Sequence, residues 1–115
     1  MLPKRWHVHI VDLDPRIKSK PGKQRPCLVI QPSAFAEAGL ESVVILPITS
    51  DLTRGDSFPL RVRLATGVCG LKRDSDIMVD QVLAWDLSLF REDLGAIPTD
   101  SQHAVSDALR DFLDL

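Results

Sequence analysis

The stretch SVVILPI, residues 42–48, decides the fold of this 115-residue chain. It carries no charged side chain, and most of its residues are β-branched or otherwise apolar. A strand that is buried on both faces shows such a continuous apolar run, because neither face meets water. We therefore expect residues 42–48 to form a central strand of a sheet.

Strand-like patterns lie on both sides of this run. Residues 6–13 alternate, with Trp6, Val8 and Ile10 on one face and the intervening residues on the other, which is typical of a β-strand. Ser33 predicts the start of a short helix that Gly39 ends. Further strands are predicted at residues 26–31, 58–64, 76–83 and 94–98, with the short helix over 34–38. In the strand over 58–64, Phe58 is expected in the core and Arg61 and Arg63 outside it.

The C-terminal segment is the clearest helix. Thr99 and Gln102 have the spacing of a capping box, and an apolar stripe follows them. The stripe contains Ala104, Val105, Ala108, Leu109, Phe112 and Leu113, and Phe112 is expected in the core. Short strands followed by one helix predict a mainly β, α+β fold: a small closed or half-closed barrel with the helix packed against it.

The composition is that of an ordinary globular protein, with 44% hydrophobic and 26% charged residues. The length predicts a single domain over residues 1–115. No segment reads as a signal peptide or membrane span, so we expect a cytoplasmic protein. Cys27 and Cys69 lack the spacing of a zinc site and are expected to be small buried hydrophobes.

A basic loop precedes the strand at 26–31, although the chain has a net charge of −2. It can be a solvated loop that aids solubility. However, Arg25 stands where the loop meets an apolar strand, so its backbone is held while its guanidinium can bind phosphate oxygens in a forked geometry. The lysines of the loop would add charge without sequence preference. The cations concerned are Arg16, Lys18, Lys20, Lys23 and Arg25.

Two further segments carry polar residues beside apolar ones. PITS, residues 47–50, ends the central strand with two hydroxyls, which either satisfy a turn or face a ligand. VDQ, residues 79–81, places a carboxylate and an amide inside an apolar segment, which costs free energy unless they are paired or exposed. Asp80 therefore either faces solvent or holds Arg25 in position.

Together these segments resemble the MazF/PemK (Kid) toxins. The resemblance rests on VDLDP (11–15), the loop after it, RPCLVIQP (25–32), PITS and VDQ, in that order and approximate spacing. It implies a homodimer of SH3-like barrels that acts as the endoribonuclease toxin of a toxin–antitoxin pair. Such a toxin cuts single-stranded RNA, including mRNA, without a metal ion or other cofactor, and a cognate antitoxin binds it.

The same resemblance implies roles for particular residues. Arg25 matches the catalytic arginine of the family and Thr49 its catalytic threonine. The loop over 16–24 matches a segment that closes over RNA and that the antitoxin displaces. The residues expected to contact RNA are Arg16, Lys18, Ser19, Lys20, Lys23, Ser50, Asp80 and Gln81.

The chain also departs from the family pattern. Lys20 stands where many members have a glutamate, Ser19 replaces an active-site histidine of PemK-like members, and Met78 replaces a catalytic arginine. The family's initial RGD or RGE motif is RWH here, so His7 replaces the acid.

RNA carries its own nucleophile, the 2′-hydroxyl. We expect Arg25 to stabilise the charge that develops on the phosphorane and Thr49 to donate to a phosphate oxygen. Asp80 and His7 are the candidate acid or base groups. His7 and His9 are expected to be exposed strand residues and no metal pair, because no third ligand has suitable spacing. His103 is expected on the surface of the terminal helix.

Two alternatives remain at this stage. A toxin of the fold-related CcdB type would bind a protein target such as gyrase, and it would not need Arg25 and Thr49. A catalytically weakened relative would bind RNA without cutting it, which the residues at Ser19, Lys20 and Met78 would explain.

Overall fold

The computed structural model describes residues 2–13, 24–52 and 60–115. Phe58 and the predicted RNA contacts Arg16, Lys18, Ser19, Lys20 and Lys23 lie outside these ranges. The strands are β1 (His7–Asp12), β2 (Gln24–Val29), β3 (Ser42–Thr49), β4 (Arg61–Leu64), β5 (Ser75–Met78), β6 (Leu83–Asp86) and β7 (Phe90–Ala96). The α-helices are α1 (Ser33–Glu37) and α2 (Thr99–Leu113), and single 3₁₀ turns lie at Val68–Gly70 and Leu87–Leu89.

Strand β3 is the centre of the sheet, as its sequence predicts. It pairs with β2 along one edge, while its other edge pairs first with β6 and then with β5. The strand order is β4-β5-β3-β2-β1-β7, with β6 beside β3. Within the described residues β4 and β7 do not pair with each other, so the sheet is not closed, which fits the half-closed form of the predicted barrel.

Each face of the sheet carries its own apolar core. One core includes Leu46 and Ile48 of β3 and receives Val105 and Ala108 of α2. The opposite core contains Val11, Cys27, Val29, Val43 and Ile45. Alternate residues of β3 therefore enter different cores, which explains why its sequence is apolar without interruption. Cys27 is fully buried as predicted, and its burial raises the pKa of the thiol to about 12.

Helix α2 covers the first of these cores with a narrower stripe than its sequence predicts. Val105 and Ala108 are buried, but Phe112 is 42% exposed, so its predicted place in the core is wrong. The predicted capping box is also absent. The side-chain amide of Gln102 donates to the carbonyl of Ile97, and no side-chain hydrogen bond caps the start of α2. Among the described segments, no helix combines the length and the apolar character that crossing a membrane would require.

The predicted strand over 76–83 is wrong in its continuity. The chain pairs with the end of β3 through β5, turns at Val79 and Asp80, and then pairs with the beginning of β3 through β6. The backbone N–H of Val79 donates to the carbonyl of Leu60, which draws the chain away from β3. The last strand, predicted at 94–98, begins four residues earlier, at Phe90.

Trp6 occupies a backbone conformation that bulky residues rarely adopt. Its φ is +71°, its N–H donates to the carbonyl of Val29 in β2, and its carbonyl accepts from Ile97, the residue after β7. The Arg5 guanidinium lies 4.8 Å from the centre of the indole ring. Glycine adopts such a φ without a steric penalty, whereas tryptophan does not. The packing of the indole against the core therefore offsets backbone strain.

Because of this strain, we expect glycine at position 6 to give a more stable protein than alanine, the reverse of the order at ordinary strand positions. Trp6→Ala keeps the strained φ, whereas Trp6→Gly removes the strain, so the glycine variant should be the more stable by about 1 kcal/mol. At Ile10, whose φ is not positive, alanine should be the more stable by about 0.5–1 kcal/mol. Urea unfolding of the four variants measures both differences, and an alanine advantage at position 6 would contradict the interpretation.

Candidate active site

The ends of β2 and β3 form one wall of an open pocket of about 430 Å³. Arg25 and Thr49, the two predicted catalytic residues, both line it. Polar side chains make up most of the remaining lining: Ser50, Asp51, Lys72, Arg73 and Ser75.

The strand register explains why Arg25 and Thr49 share this pocket. In the β2–β3 pair, Cys27 lies opposite Pro47, and the same register continued by two residues brings Arg25 opposite Thr49. Side chains at directly opposed positions point to the same side of a sheet. On the next strand, Asp76 lies opposite Thr49, and Arg63 of β4 lies opposite Asp76. These four side chains form one cross-strand row on the face that carries the second apolar core.

The hydroxyl of Thr49 is oriented by the turn that follows β3. The backbone N–H of Asp51 donates to Thr49 Oγ1 over 3.0 Å. A hydroxyl has one hydrogen to donate, and here its oxygen already accepts from the backbone. The Thr49 hydrogen can therefore point to an acceptor in the pocket, such as a phosphate oxygen.

The pocket is positively charged although the chain is not. Three cations line it, Arg25, Lys72 and Arg73, against the single carboxylate of Asp51. Sequence reasoning missed Lys72 and Arg73. The signal that could have found them is the pair of adjacent cations in LKRDSD, residues 71–76, directly before a strand. This charge favours a polyanionic ligand with closely spaced phosphates.

Asp76 is the acid associated with this row, and sequence reasoning missed it as well. Its carboxylate accepts from Arg63 Nε over 2.6 Å and lies 3.7 Å from Arg61 Nη1. Asp76 is 3% exposed. The hydrogen bond that Arg63 donates to Asp76 raises the pKa of Arg63 above its ordinary value. The two arginines predicted to point freely outward thus share one buried carboxylate.

Similarity to known proteins extends over the whole chain. Residues 4–113 match the family of PemK-like, MazF-like toxins of type II toxin–antitoxin systems. Endoribonuclease MazF6 of Mycobacterium tuberculosis is 32% identical over 115 residues, covering 100% of both proteins. The MazE–MazF structure from Deinococcus radiodurans has a TM-score of 0.81 at 23% identity and covers 100% of this chain and 99% of that one. An endoribonuclease in complex with its cognate antitoxin, from a mycobacterial species, has a TM-score of 0.73 at 18% identity, covering 99% and 95%.

This chain belongs to the PemK-like, MazF-like toxin family. The family and toxin class predicted from the sequence are thereby confirmed, and so is the endoribonuclease activity that its full-length relatives carry in their names. The two structural neighbours, below 25% identity, confirm the fold.

The structure places other predicted site residues of the toxin apart from the pocket. Asp80 and Gln81 are exposed in the turn between β5 and β6, and neither lines the pocket. No ion pair joins Asp80 to Arg25 in the described part of the chain. Val11 is the residue of β1 that pairs with Arg25, and His7 lies four residues before it. Four residues of a strand span about 13 Å. Neither candidate acid or base group therefore adjoins Arg25 and Thr49.

His9 is buried, so its predicted exposure is wrong. Its residue exposure is 0%, and its ring packs edge-on against Phe90 of β7, with the ring centroids 5.8 Å apart. Neither ring nitrogen has a hydrogen-bond partner among the described residues, and the nearest carboxylate, that of Asp93, lies 4.0 Å from Nε2. Burial lowers the pKa of His9, while the Asp93 carboxylate opposes this shift.

His7, the other histidine of β1, is half-buried. His7 Nδ1 lies 3.0 and 3.1 Å from the two carboxylate oxygens of Asp93. No three His, Cys, Asp or Glu side chains cluster as a metal site in the described ranges. His103 is exposed on α2, as predicted.

The buried His9 predicts a pH-dependent stability. Its pKa is lower in the folded than in the unfolded state, where it is about 6.5, so protons bind preferentially to the unfolded chain. The free energy of unfolding should therefore fall as the pH drops below about 6.5, by at most about 1.4 kcal/mol per pH unit. Urea unfolding between pH 7.5 and about 5, above the range in which carboxylates titrate near 3.9, measures this slope.

Two substitutions identify the group responsible for the slope. His9→Leu should flatten it, and His103→Gln, which changes an exposed imidazole, should leave it as it is. An unchanged slope in His9→Leu would assign the effect to another group.

Proposed function

We propose that this toxin cleaves single-stranded RNA, including mRNA, in the pocket that contains Arg25 and Thr49. The observation that carries the proposal is the cross-strand placement of these two residues in one positively charged pocket. The toxin family and the names of its full-length relatives support RNA cleavage as the reaction.

RNA supplies the nucleophile for this reaction. The 2′-oxygen attacks the adjacent phosphorus, the bond from phosphorus to the 5′-oxygen breaks, and the products are a 2′,3′-cyclic phosphate and a 5′-hydroxyl. The 2′-hydroxyl loses a proton and the departing 5′-oxygen gains one. No metal ion is needed to generate the nucleophile, so the protein must orient the chain and stabilise charge on the phosphate.

Arg25 and Thr49 suit these tasks. A guanidinium carries several N–H donors and no acceptor, so Arg25 acts as a donor to the phosphorane oxygens and not as a base. The free hydrogen of the Thr49 hydroxyl donates to a second oxygen of the same phosphate. Lys72 and Arg73 bind the phosphates that flank the cleaved bond, and Ser50 lies beside Thr49 as a further hydrogen-bonding group.

The RNA extends beyond this pocket in the proposal. Asp80 and Gln81 are exposed and can meet bases of a bound strand. The predicted loop contacts Arg16, Lys18, Ser19, Lys20 and Lys23 remain part of the proposal as well.

We further propose that residues 1–115 act as a single toxin domain that forms a homodimer in the cytoplasm, where mRNA and antitoxin are present. A groove of about 520 Å³ between β4 and α2 supports dimer formation, together with the exposed apolar side chains of Phe112 and Leu113 at the end of that helix. A cognate antitoxin with an acidic segment would bind the same positive pocket. One structural neighbour is an endoribonuclease in complex with its cognate antitoxin, which supports an antitoxin partner.

The two alternatives are less well supported. A toxin that only binds a protein target, as CcdB binds gyrase, has no use for an arginine and a threonine converging on one pocket. A catalytically inactive relative needs neither the oriented Thr49 hydroxyl nor the fixed Arg25.

One prediction of this proposal concerns cleavage itself. Purified protein with long single-stranded RNA and excess chelator should yield discrete fragments ending in 2′,3′-cyclic phosphate and 5′-hydroxyl. Arg25→Ala and Thr49→Ala should each lower the cleavage rate about 100- to 1,000-fold, because each removes one donor to the transition state.

The exposed Lys4→Ala variant serves as the control and should cut at the parent rate. Intact RNA with the parent protein would favour a protein target or an inactive relative. Parent-level cutting by both pocket variants would move the active site elsewhere.

Another prediction of this proposal concerns the phosphate contacts of Lys72 and Arg73. Each lysine or arginine bound to a single-stranded phosphate contributes about 0.7 to the slope of log affinity against log salt. Lys72→Ala with Arg73→Ala should therefore reduce the slope by roughly 1.4, whereas the exposed pair Lys4→Ala with Arg91→Ala should change it little. The ligand is RNA whose mapped cleavage nucleotide lacks its 2′-hydroxyl, and an unchanged slope in the pocket variant would exclude these contacts.

A further inference from the structure

The buried carboxylate of Asp76 is more than a partner for surface arginines. It is 3% exposed, and it holds Arg63 at 2.6 Å and Arg61 at 3.7 Å. A buried carboxylate is costly unless it is paired, and replacing a buried ion pair by apolar residues is often neutral or stabilising. Stability alone therefore gives little reason for a charged group at this position.

The position of Asp76 in the sheet suggests another role. Asp76 lies directly opposite Thr49 in the β3–β5 pair. Opposed residues in an antiparallel pair have Cα atoms about 4.5–5.5 Å apart. The carboxylate and the proposed catalytic hydroxyl thus belong to the same row of one sheet face, and their backbones are fixed relative to each other by the sheet.

Arg61 connects this carboxylate to the turn that orients Thr49. Its Nη1 lies near the Asp76 carboxylate and also donates to the backbone carbonyl of Asp51 over 3.1 Å. The N–H of the same residue, Asp51, is the donor to Thr49 Oγ1. Asp51 is exposed. Among the described residues, Arg61 is the side chain that donates a hydrogen bond to the Asp51 carbonyl.

We propose that Asp76 and Arg61 are positioning residues for the Thr49 hydroxyl. Asp76 holds the guanidinium of Arg61, Arg61 holds the carbonyl of Asp51, and Asp51 accordingly presents its N–H to Thr49. With its oxygen engaged in this way, the hydroxyl donates its hydrogen to the phosphate. The inference rests on the proposed role of Thr49, but it assigns a function to two residues that do not line the pocket.

The role requires an arginine at position 61. A guanidinium has several N–H donors in a fixed plane and can contact a carboxylate and a carbonyl together, whereas a lysine ammonium is a compact charge on a flexible stem. Arg63 binds the same carboxylate but makes no hydrogen bond to Asp51 in the described residues. Arg61 is therefore the link to the active site, and Arg63 is an additional partner that holds the Asp76 carboxylate in place.

The test measures kcat and KM for RNA cleavage by Arg61→Ala, Asp76→Asn and Thr49→Ala, and by Arg61→Ala combined with Thr49→Ala. Arg91→Ala, which removes an exposed arginine outside this network, is the control. Arg61→Ala should lower kcat about 10-fold and leave KM within about twofold, because misplacement of a reacting group affects the chemical step. Asp76→Asn should follow it, and Arg61→Lys should recover only part of the loss.

Coupling to Thr49 distinguishes positioning from other roles. In the Thr49→Ala background, Arg61→Ala should cost less than about twofold, because the hydroxyl that it positions is already absent. A loss that persists in this background, or one that appears in KM, would overturn the proposal in favour of direct contact with RNA.

Folding and the underlying function are controlled separately. Arg61 lies on an edge strand with its side chain partly exposed, so Arg61→Ala remains informative even if Asp76→Asn does not fold. Parent-level kcat in Arg61→Ala, with Thr49→Ala impaired, would refute the positioning role alone. Full activity of Thr49→Ala would instead refute the proposed function.

Discussion

The burial of β3 on both faces is the constraint on which the rest of the structure depends. Because its alternate side chains enter two different cores, β3 can change neither its register nor its tilt without exposing one of them. It also bonds to β2, β5 and β6, so those strands take their positions from it. The sharp turn after β5 is a consequence, since one edge of β3 serves two strands in succession.

The candidate active site lies where β2 and β3 leave the apolar core and reach the surface. On the second face of the sheet, the residues along β2 and β3 change from Cys27, Val29 and Ile45 in the core to Arg25 and Thr49 in the pocket. The strand ends are held by the buried parts of the same strands, so polar groups at those ends have defined positions while remaining accessible. A site built on the ends of strands is thus preorganised by the core, which is what stabilisation of a developing charge requires.

The sequence allowed prediction of whatever depends on local pattern. The apolar run of β3, the alternation of β1 and the terminal helix are all visible in it, and the order of its motifs placed Arg25 and Thr49 together. Features set by pairing between distant segments were not visible. Asp76 could not be linked to Thr49 without the β3–β5 register, and Lys72 enters the pocket only because the turn before β5 folds beside it. The burial of His9 likewise involves a distant segment, because Phe90 of β7 packs against its ring.

The row from Arg25 to Arg63 also shows how polar residues can occupy a sheet without destabilising it. An isolated Asp76 at this position would be unfavourable, and arginines on an edge strand without an acid would be free to point elsewhere. Asp76 and the two arginines of β4 together orient the backbone carbonyl of Asp51, because Arg61 of this group donates a hydrogen bond to it. The direction of the Thr49 hydroxyl is therefore set by side chains of three strands, and the geometry of the site is a property of the sheet more than of the turn that carries it.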